Sequence, residues 1–278
     1  MPEELRIGRI FYLNLYPIFH GLDKTAPGGR YLYFDGHPAR VNAWLRTGGV
    51  DLSPSSSIVY LREPGDFSLI EGHSVSADGP IRSIYLFSRF PLEELGGRLI
   101  GVTNQTETSV ALLRIILGKF LGLDHRIRVT ALPAARALSR FSAYLAIGDD
   151  AMRARKDFTF EGRFRKNGPV SSGDLFVYDL GEIWREKTGL PFVFALWIAR
   201  KESMKAKRRA FGQFKRDLDS AKGYALSHLG EAARRQPVAE LSRQEVIRYW
   251  KGISYGLGPA EKKGLRLFGR YARELGLL

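Results

Sequence analysis

Three turns in this 278-residue chain concentrate hydroxyl and amide side chains directly after β-type runs. Tyr12-Leu13-Asn14-Leu15-Tyr16-Pro17 follows Leu5–Phe11, and Ser53-Pro54-Ser55-Ser56-Ser57 follows Val50–Leu52. Thr103-Asn104-Gln105-Thr106-Glu107-Thr108-Ser109 follows Leu99–Val102. Each turn would set hydroxyls and free backbone N–H groups at a helix start, where roughly half a positive charge favours carboxylates and phosphates. If the three converge, the ligand is a small anion with more than one acidic group. Taken singly, each turn is equally a helix cap, because Ser, Thr and Asn are favoured there. Both readings stand at this point for Ser55, Ser56, Ser57, Thr106, Thr108 and Ser109.

Other positions carry narrower chemistry. Asp149 and Asp150 follow the run Tyr144–Ile147. Carboxylates repel an anion, so one of them would orient a hydroxyl while the other caps a helix; capping alone also accounts for both. Ser83 falls on an expected strand, Ile81–Ser88, where Arg82 would point to the opposite face. Asp179 and Glu182 would cap a short helix ending near Gly189, and Phe192, just beyond it, could wall a cleft. The five histidines show no metal-ligand spacing. No P-loop, Gly-x-Gly-x-x-Gly or Gly-x-Ser-x-Gly motif is present. The absence of cysteine excludes disulfides, thiolate catalysis and Cys-ligated metal.

To position these residues the chain alternates short strands with helices up to about residue 199, then turns helical. This predicts an α/β fold. Phe192–Ala199 is wholly apolar, as at a sheet centre. Ser242-Arg-Gln-Glu245 is a capping box, and Gly258-Pro259 breaks one helix and opens the next. Element order predicts two lobes, residues 1–92 plus 194–278 and residues 93–193, with a hinge and an interlobe cleft.

An apolar fraction of 44% with 26% charged residues excludes disordered and collagen-like classes. No apolar run is long enough for a membrane span, and the Met1–Glu4 start carries no export signal, which predicts a cytoplasmic protein. Of the net charge of +14, residues 200–278 hold +11, from 19 basic and 8 acidic residues. We read this as a solvated helix surface that attracts a small anion, not as a nucleic-acid or membrane face.

Several separated blocks resemble the MqnA family of chorismate dehydratases. They are Tyr12-Leu-Asn14, Val50-Asp-Leu-Ser-Pro-Ser-Ser56, Ser74-Val-Ser-Ala-Asp-Gly-Pro80, Pro91-Leu-Glu-Glu-Leu95, Thr106-Glu-Thr-Ser109, Ile147-Gly-Asp-Asp-Ala151 and Thr188-Gly-Leu-Pro-Phe192. The resemblance runs in order from about Ile7 to about Arg200. It implies a type II periplasmic-binding-protein-like fold and a cofactor-free hydro-lyase. It also implies loss of water from chorismate, a small dianion, to give 3-[(1-carboxyvinyl)oxy]benzoate in the futalosine route to menaquinone. On this resemblance Asn14 and Asp149 are the catalytic candidates, and Ser55, Ser56, Ser57, Ser83, Thr106, Thr108, Ser109, Asp150 and Phe192 the substrate-binding ones. The base is Asp149, Asp150 or the substrate's own enolpyruvyl carboxylate. A 1,4-dihydroxy-6-naphthoate synthase-like enzyme and a binding-only protein for a small dicarboxylate are the alternatives.

Overall fold

The computed structural model describes residues 4–160 and 174–278. Its strands are β1 Leu5–Ile10, β2 Tyr31–Gly36, β3 Leu52–Ser56, β4 Phe67–Ala77, β5 Ile84–Ser88, β6 Leu99–Thr103, β7 Arg126–Thr130, β8 Ala143–Ile147, β9 Phe176–Asp179 and β10 Phe192–Arg200. Its helices are α1 Tyr16–Thr25, α2 Pro38–Thr47, α3 Ser57–Arg62, α4 Thr108–Ile115, α5 Ala134–Leu138, α6 Gly148–Phe160, α7 Leu180–Thr188, α8 Lys201–Ala206, α9 Arg208–Ser227, α10 Leu229–Ala232, α11 Arg243–Lys251 and α12 Pro259–Glu274.

The chain divides into two compact units, Met1–Ser76 with Val193–Lys262, and Ala77–Phe192 with Lys263–Leu278. The first division falls earlier than the expected residue 92, because β5 sits inside the second sheet, paired with both β8 and β9. The C-terminal end also leaves the first unit: Phe268 packs on Trp184 and Phe192 of the second.

The first sheet has the order β2-β1-β3-β10-β4. β1 runs parallel to β2 and β3, and β10 antiparallel to β3. The C-terminal ends of β1 and β3 and the N-terminal end of β10 therefore share one sheet edge. The second sheet has the order β7-β6-β8-β5-β9, with β6 parallel to β7 and β8 and β5 antiparallel to β8. There, the C-terminal ends of β6 and β8 meet the N-terminal end of β5.

Packing follows from apolar spacing. In the first unit α1 buries Pro17, Ile18, Phe19 and Leu22, and α9 buries Phe211, Phe214, Leu218, Ala221 and Ala225. The two helices meet at Gly21, where a Cβ would lie 2.3 Å from the Ala221 carbonyl oxygen. In the second unit Tyr85, Phe87, Phe141, Tyr144 and Phe158 form one buried cluster.

Two buried ionisable groups tie the first unit together. Asp51, buried at the start of β3, accepts from the Arg6 backbone N–H at 2.8 Å, Lys207 Nζ at 2.7 Å and Ser203 Oγ at 2.9 Å. Burial pushes its carboxyl up, and these donors outweigh burial and hold it at about 2. His73 on β4 donates from Nε2 to Asp219 on α9 at 2.8 Å. Burial first, and then Lys222, push its imidazole down to about 4.

Gly21→Ala is expected to cost about 1–3 kcal/mol, read from the urea midpoint, since backbone faces backbone there. His73 stays neutral in the native state while the unfolded chain takes up a proton below 6.5. Its contribution to stability is complete above that value and is lost as pH falls through about 4. Unfolding profiles of His73→Gln should be flatter than wild type across this window, and an unchanged slope would remove His73 as its source.

Candidate active site

Asn14 sits in the turn that leaves β1. Trp250 of α11 donates its indole N–H to the Leu13 carbonyl at 2.6 Å, and Tyr255 donates its hydroxyl to the Asn14 carbonyl at 2.7 Å. Both backbone acceptors are therefore satisfied by the C-terminal segment. The side-chain Oδ1 of Asn14 is buried and has no hydrogen-bond partner. An unsatisfied buried acceptor costs roughly 1–3 kcal/mol, a cost that an incoming donor would relieve.

The neighbouring strand β3 carries the serines. Sequence placed Ser53–Ser57 in a turn, but Ser53–Ser56 extend β3 between β1 and β10, and the helix starts at Ser57. Two of the three hydroxyls are committed within the protein. Ser55 pairs with Ser53 at 2.6 Å, and Ser57 donates to the Val193 carbonyl at 2.7 Å. Ser56 accepts from Asn42 Nδ2 at 3.2 Å and its backbone N–H donates to Asn42 Oδ1 at 3.4 Å, which leaves the Ser56 hydroxyl hydrogen to donate. With six residues, α3 is too short to act as an anion-binding helix start.

The second unit gathers its candidates at the matching edge of its own sheet. Ser83 is almost fully buried and lies just ahead of β5, which begins at Ile84 rather than at Ile81. The expected alternation of Arg82 and Ser83 fails because Arg82 has a φ of 60° and breaks the strand. The Ser83 carbonyl accepts the Gly148 N–H at 2.7 Å, joining Ser83 to the start of α6 and to largely buried Asp149. Asp150 points to solvent and pairs with Arg153 at 3.2 Å. After β6, Thr106 Oγ1 accepts the Ser109 N–H at 3.3 Å and donates to Ser109 Oγ at 3.2 Å, so Thr106 is taken up by the first turn of α4, whose N-cap residue is Glu107. Thr108 and Ser109 are buried in the first turn of α4.

Phe192 is wholly buried, with Trp184 at 5.0 Å and Phe268 at 4.9 Å, both edge-on. Sequence reasoning passed over Asn42, Trp250 and Tyr255. Their signal, a lone amide and two aromatics outside any motif, is invisible without the fold. Among the described residues no cluster of three or more His, Cys, Asp or Glu side chains could hold a metal, and no helix is long and apolar enough to cross a membrane.

A family described as menaquinone biosynthesis matches residues 5–274. The chain belongs to that family. A chorismate dehydratase of Thermus thermophilus is 33% identical over 96% of this chain and 93% of its own length. The fold is shared with an alkanesulfonate-binding protein of Xanthomonas axonopodis pv. citri bound to MOPS, at 18% identity and a TM-score of 0.70 over 100% of this chain and 94% of that one. A Candida albicans protein described as having the generic periplasmic binding protein structural fold matches at 11% identity and a TM-score of 0.59, covering 99% of this chain and 95% of that one. The fold is thus periplasmic-binding-protein-like.

Tyr255→Phe leaves the buried Asn14 carbonyl without its donor. A loss of about 1–3 kcal/mol on thermal unfolding is expected, and an unchanged melting point would mean that the turn is held elsewhere.

Proposed function

We propose that this protein is a chorismate dehydratase, eliminating water from chorismate to give 3-[(1-carboxyvinyl)oxy]benzoate. The observation that carries the reading is 33% identity, over 96% of this chain, to a Thermus protein named for this reaction, within a family described as menaquinone biosynthesis. Asn14, whose buried Oδ1 has no hydrogen-bond partner, is the side chain we place at the reacting groups.

The chemistry asks for donors and for one proton acceptor. The base takes the ring C3 proton, the C–H electron pair completes the aromatic ring as the C4–O bond breaks, and the base returns that proton to the leaving hydroxyl, which departs as water. No oxidation state has to be exchanged with a partner, so no redox cofactor is required. The ring carboxylate acidifies the C3 proton by conjugation, and donors aimed at that carboxylate stabilise the charge that develops there. In the first unit the Ser56 hydroxyl is suited to carboxylate binding and Asn14 Oδ1 to accept from the departing water; in the second unit the Ser83 hydroxyl and the α4 start with Thr108 and Ser109 are suited to carboxylate binding. Asp150, exposed and paired with Arg153, is poorly placed to be the base. Two acceptors remain: Asp149, and the substrate's own enolpyruvyl carboxylate. Asp149→Asn separates them, since only the first route needs the side-chain carboxylate.

Purified protein mixed with chorismate should lose the diene absorbance and yield a product lighter by one water. Asn14→Ala should lower kcat by about 10²–10³-fold without lowering the melting temperature, because it removes an unsatisfied group. Unchanged chorismate with folded protein would sink the reading. Full kcat in Asn14→Ala would sink the role of Asn14.

A further inference from the structure

The turn ahead of β5 is held against its own backbone preference. Arg82, at a φ of 60°, is the one residue other than glycine in the left-handed region among those described, a conformation that L side chains avoid. What holds it is Asp179, the residue that caps α7. Its Oδ2 accepts the Arg82 N–H at 2.6 Å and its Oδ1 accepts the Ile81 N–H at 3.1 Å. The same Oδ1 also accepts from Gly181 at 2.9 Å and Glu182 at 3.3 Å.

A helix cap needs only the last two of these bonds. The first two reach across almost a hundred residues of chain to a turn that no regular element supports. The fit is close: a Cβ at Gly181 would lie 2.6 Å from the Gly79 carbonyl oxygen and 3.2 Å from the Ile81 nitrogen. Keeping a carboxylate there is unfavourable, since burial pushes Asp179 up to about 6 even against four N–H donors. Capping alone could be met by a serine or threonine, without a buried charge.

Directly beyond the turn lie the residues that matter to the reaction. Ser83 follows Arg82 in the chain, and its carbonyl receives the Gly148 N–H that opens α6, with Asp149 next. We propose that Asp179 is a positioning residue of the dehydratase: by clamping the Ile81–Arg82 backbone it sets Ser83 and, through the Ser83 carbonyl, the first turn of α6. This inference rests on the dehydratase reading.

Asp179→Asn tests it. An asparagine keeps an oxygen toward Ile81, Gly181 and Glu182 but turns its NH2 against the Arg82 N–H. The cap of α7 survives while the clamp on Arg82 is lost. Steady-state kinetics on chorismate should show kcat down by about tenfold or more with KM within about threefold, as expected when reacting groups are misplaced rather than removed. Adding Arg82→Gly to this variant should recover part of the lost kcat, because glycine takes a positive φ unaided. A kcat within about twofold of wild type, a loss confined to KM, or no recovery in the double variant would overturn the proposal. If Asp179→Asn does not fold, Arg82→Val takes its place. It leaves the carboxylate intact, its β-branched side chain resists the left-handed turn, and the same fall in kcat is expected; wild-type kcat overturns the inference. A wild-type protein inactive on chorismate overturns the functional reading itself, whereas an active wild type with an equally active Asp179→Asn overturns only the role of Asp179.

Discussion

The turn between β1 and α1 depends on two donors that it does not own. Trp250 and Tyr255 supply the indole N–H and the hydroxyl that satisfy the carbonyls of Leu13 and Asn14. Both backbone oxygens are thus engaged by the C-terminal segment, which fixes the backbone from which the Asn14 side chain projects. Stability lost at the unpartnered Asn14 Oδ1 is offset by burial nearby: Trp250 is fully buried and Tyr255 nearly so, and a large buried side chain contributes roughly 1.5–3 kcal/mol. A strained or unsatisfied group persists only where its surroundings over-determine it.

Strand direction explains why the candidates gather. In open α/β sheets ligands meet the carboxyl ends of parallel strands, and in the first unit those ends belong to β1 and β3, which lead to Asn14 and to Ser56. The reversed strand β10 begins at that edge, and Ser57 fastens to it through the Val193 carbonyl. The second unit repeats the device with β6, β8 and the reversed β5, fastened where Ser83 receives Gly148. In each unit one antiparallel strand turns its start toward the edge that carries the polar turns. The short polar side chains there are buried and held by backbone and side-chain hydrogen bonds.

How much of this was legible in sequence differs by element. The apolar run from Phe192, the strand at Leu99, the helix after Thr106 and the capping box at Ser242 all appear where their spacing places them, because each is dictated by local burial or local hydrogen bonding. The extension of β3 beyond Leu52 and the second half of β4 were not legible as strands. Ser53-Pro54-Ser55-Ser56 and His73-Ser74-Val75-Ser76 have the composition of loops, and they are extended only because neighbouring strands and the 254–256 segment supply partners. The break at Arg82 was hidden for the opposite reason. Its sequence is that of a strand, and a carboxylate far along the chain overrides it. Among the candidate site residues the hydrogen-bond commitments were not legible: Thr106, Ser55 and Ser57 are taken up by the protein, while Asn14 Oδ1 has no partner.

The charge of the chain finds its place in the same picture. In the basic C-terminal segment the acids are drawn into ties: Asp217 to Arg30 and Tyr31, Asp219 to His73 and Lys215, Glu231 to Lys24 and Tyr224, Glu274 to Lys119. The surplus cations, among them Arg208, Arg209, Arg243, Arg248, Arg266 and Arg273, stand exposed on helix faces. Exposed charge of this kind is screened within about 8 Å at physiological salt, so it adds little to the binding free energy of a ligand held elsewhere. Its effect falls on encounter, since a positive field raises the local concentration and association rate of a dianion. On the proposed reading, affinity and turnover are left to buried polar groups such as Asn14, whose Oδ1 has no hydrogen-bond partner.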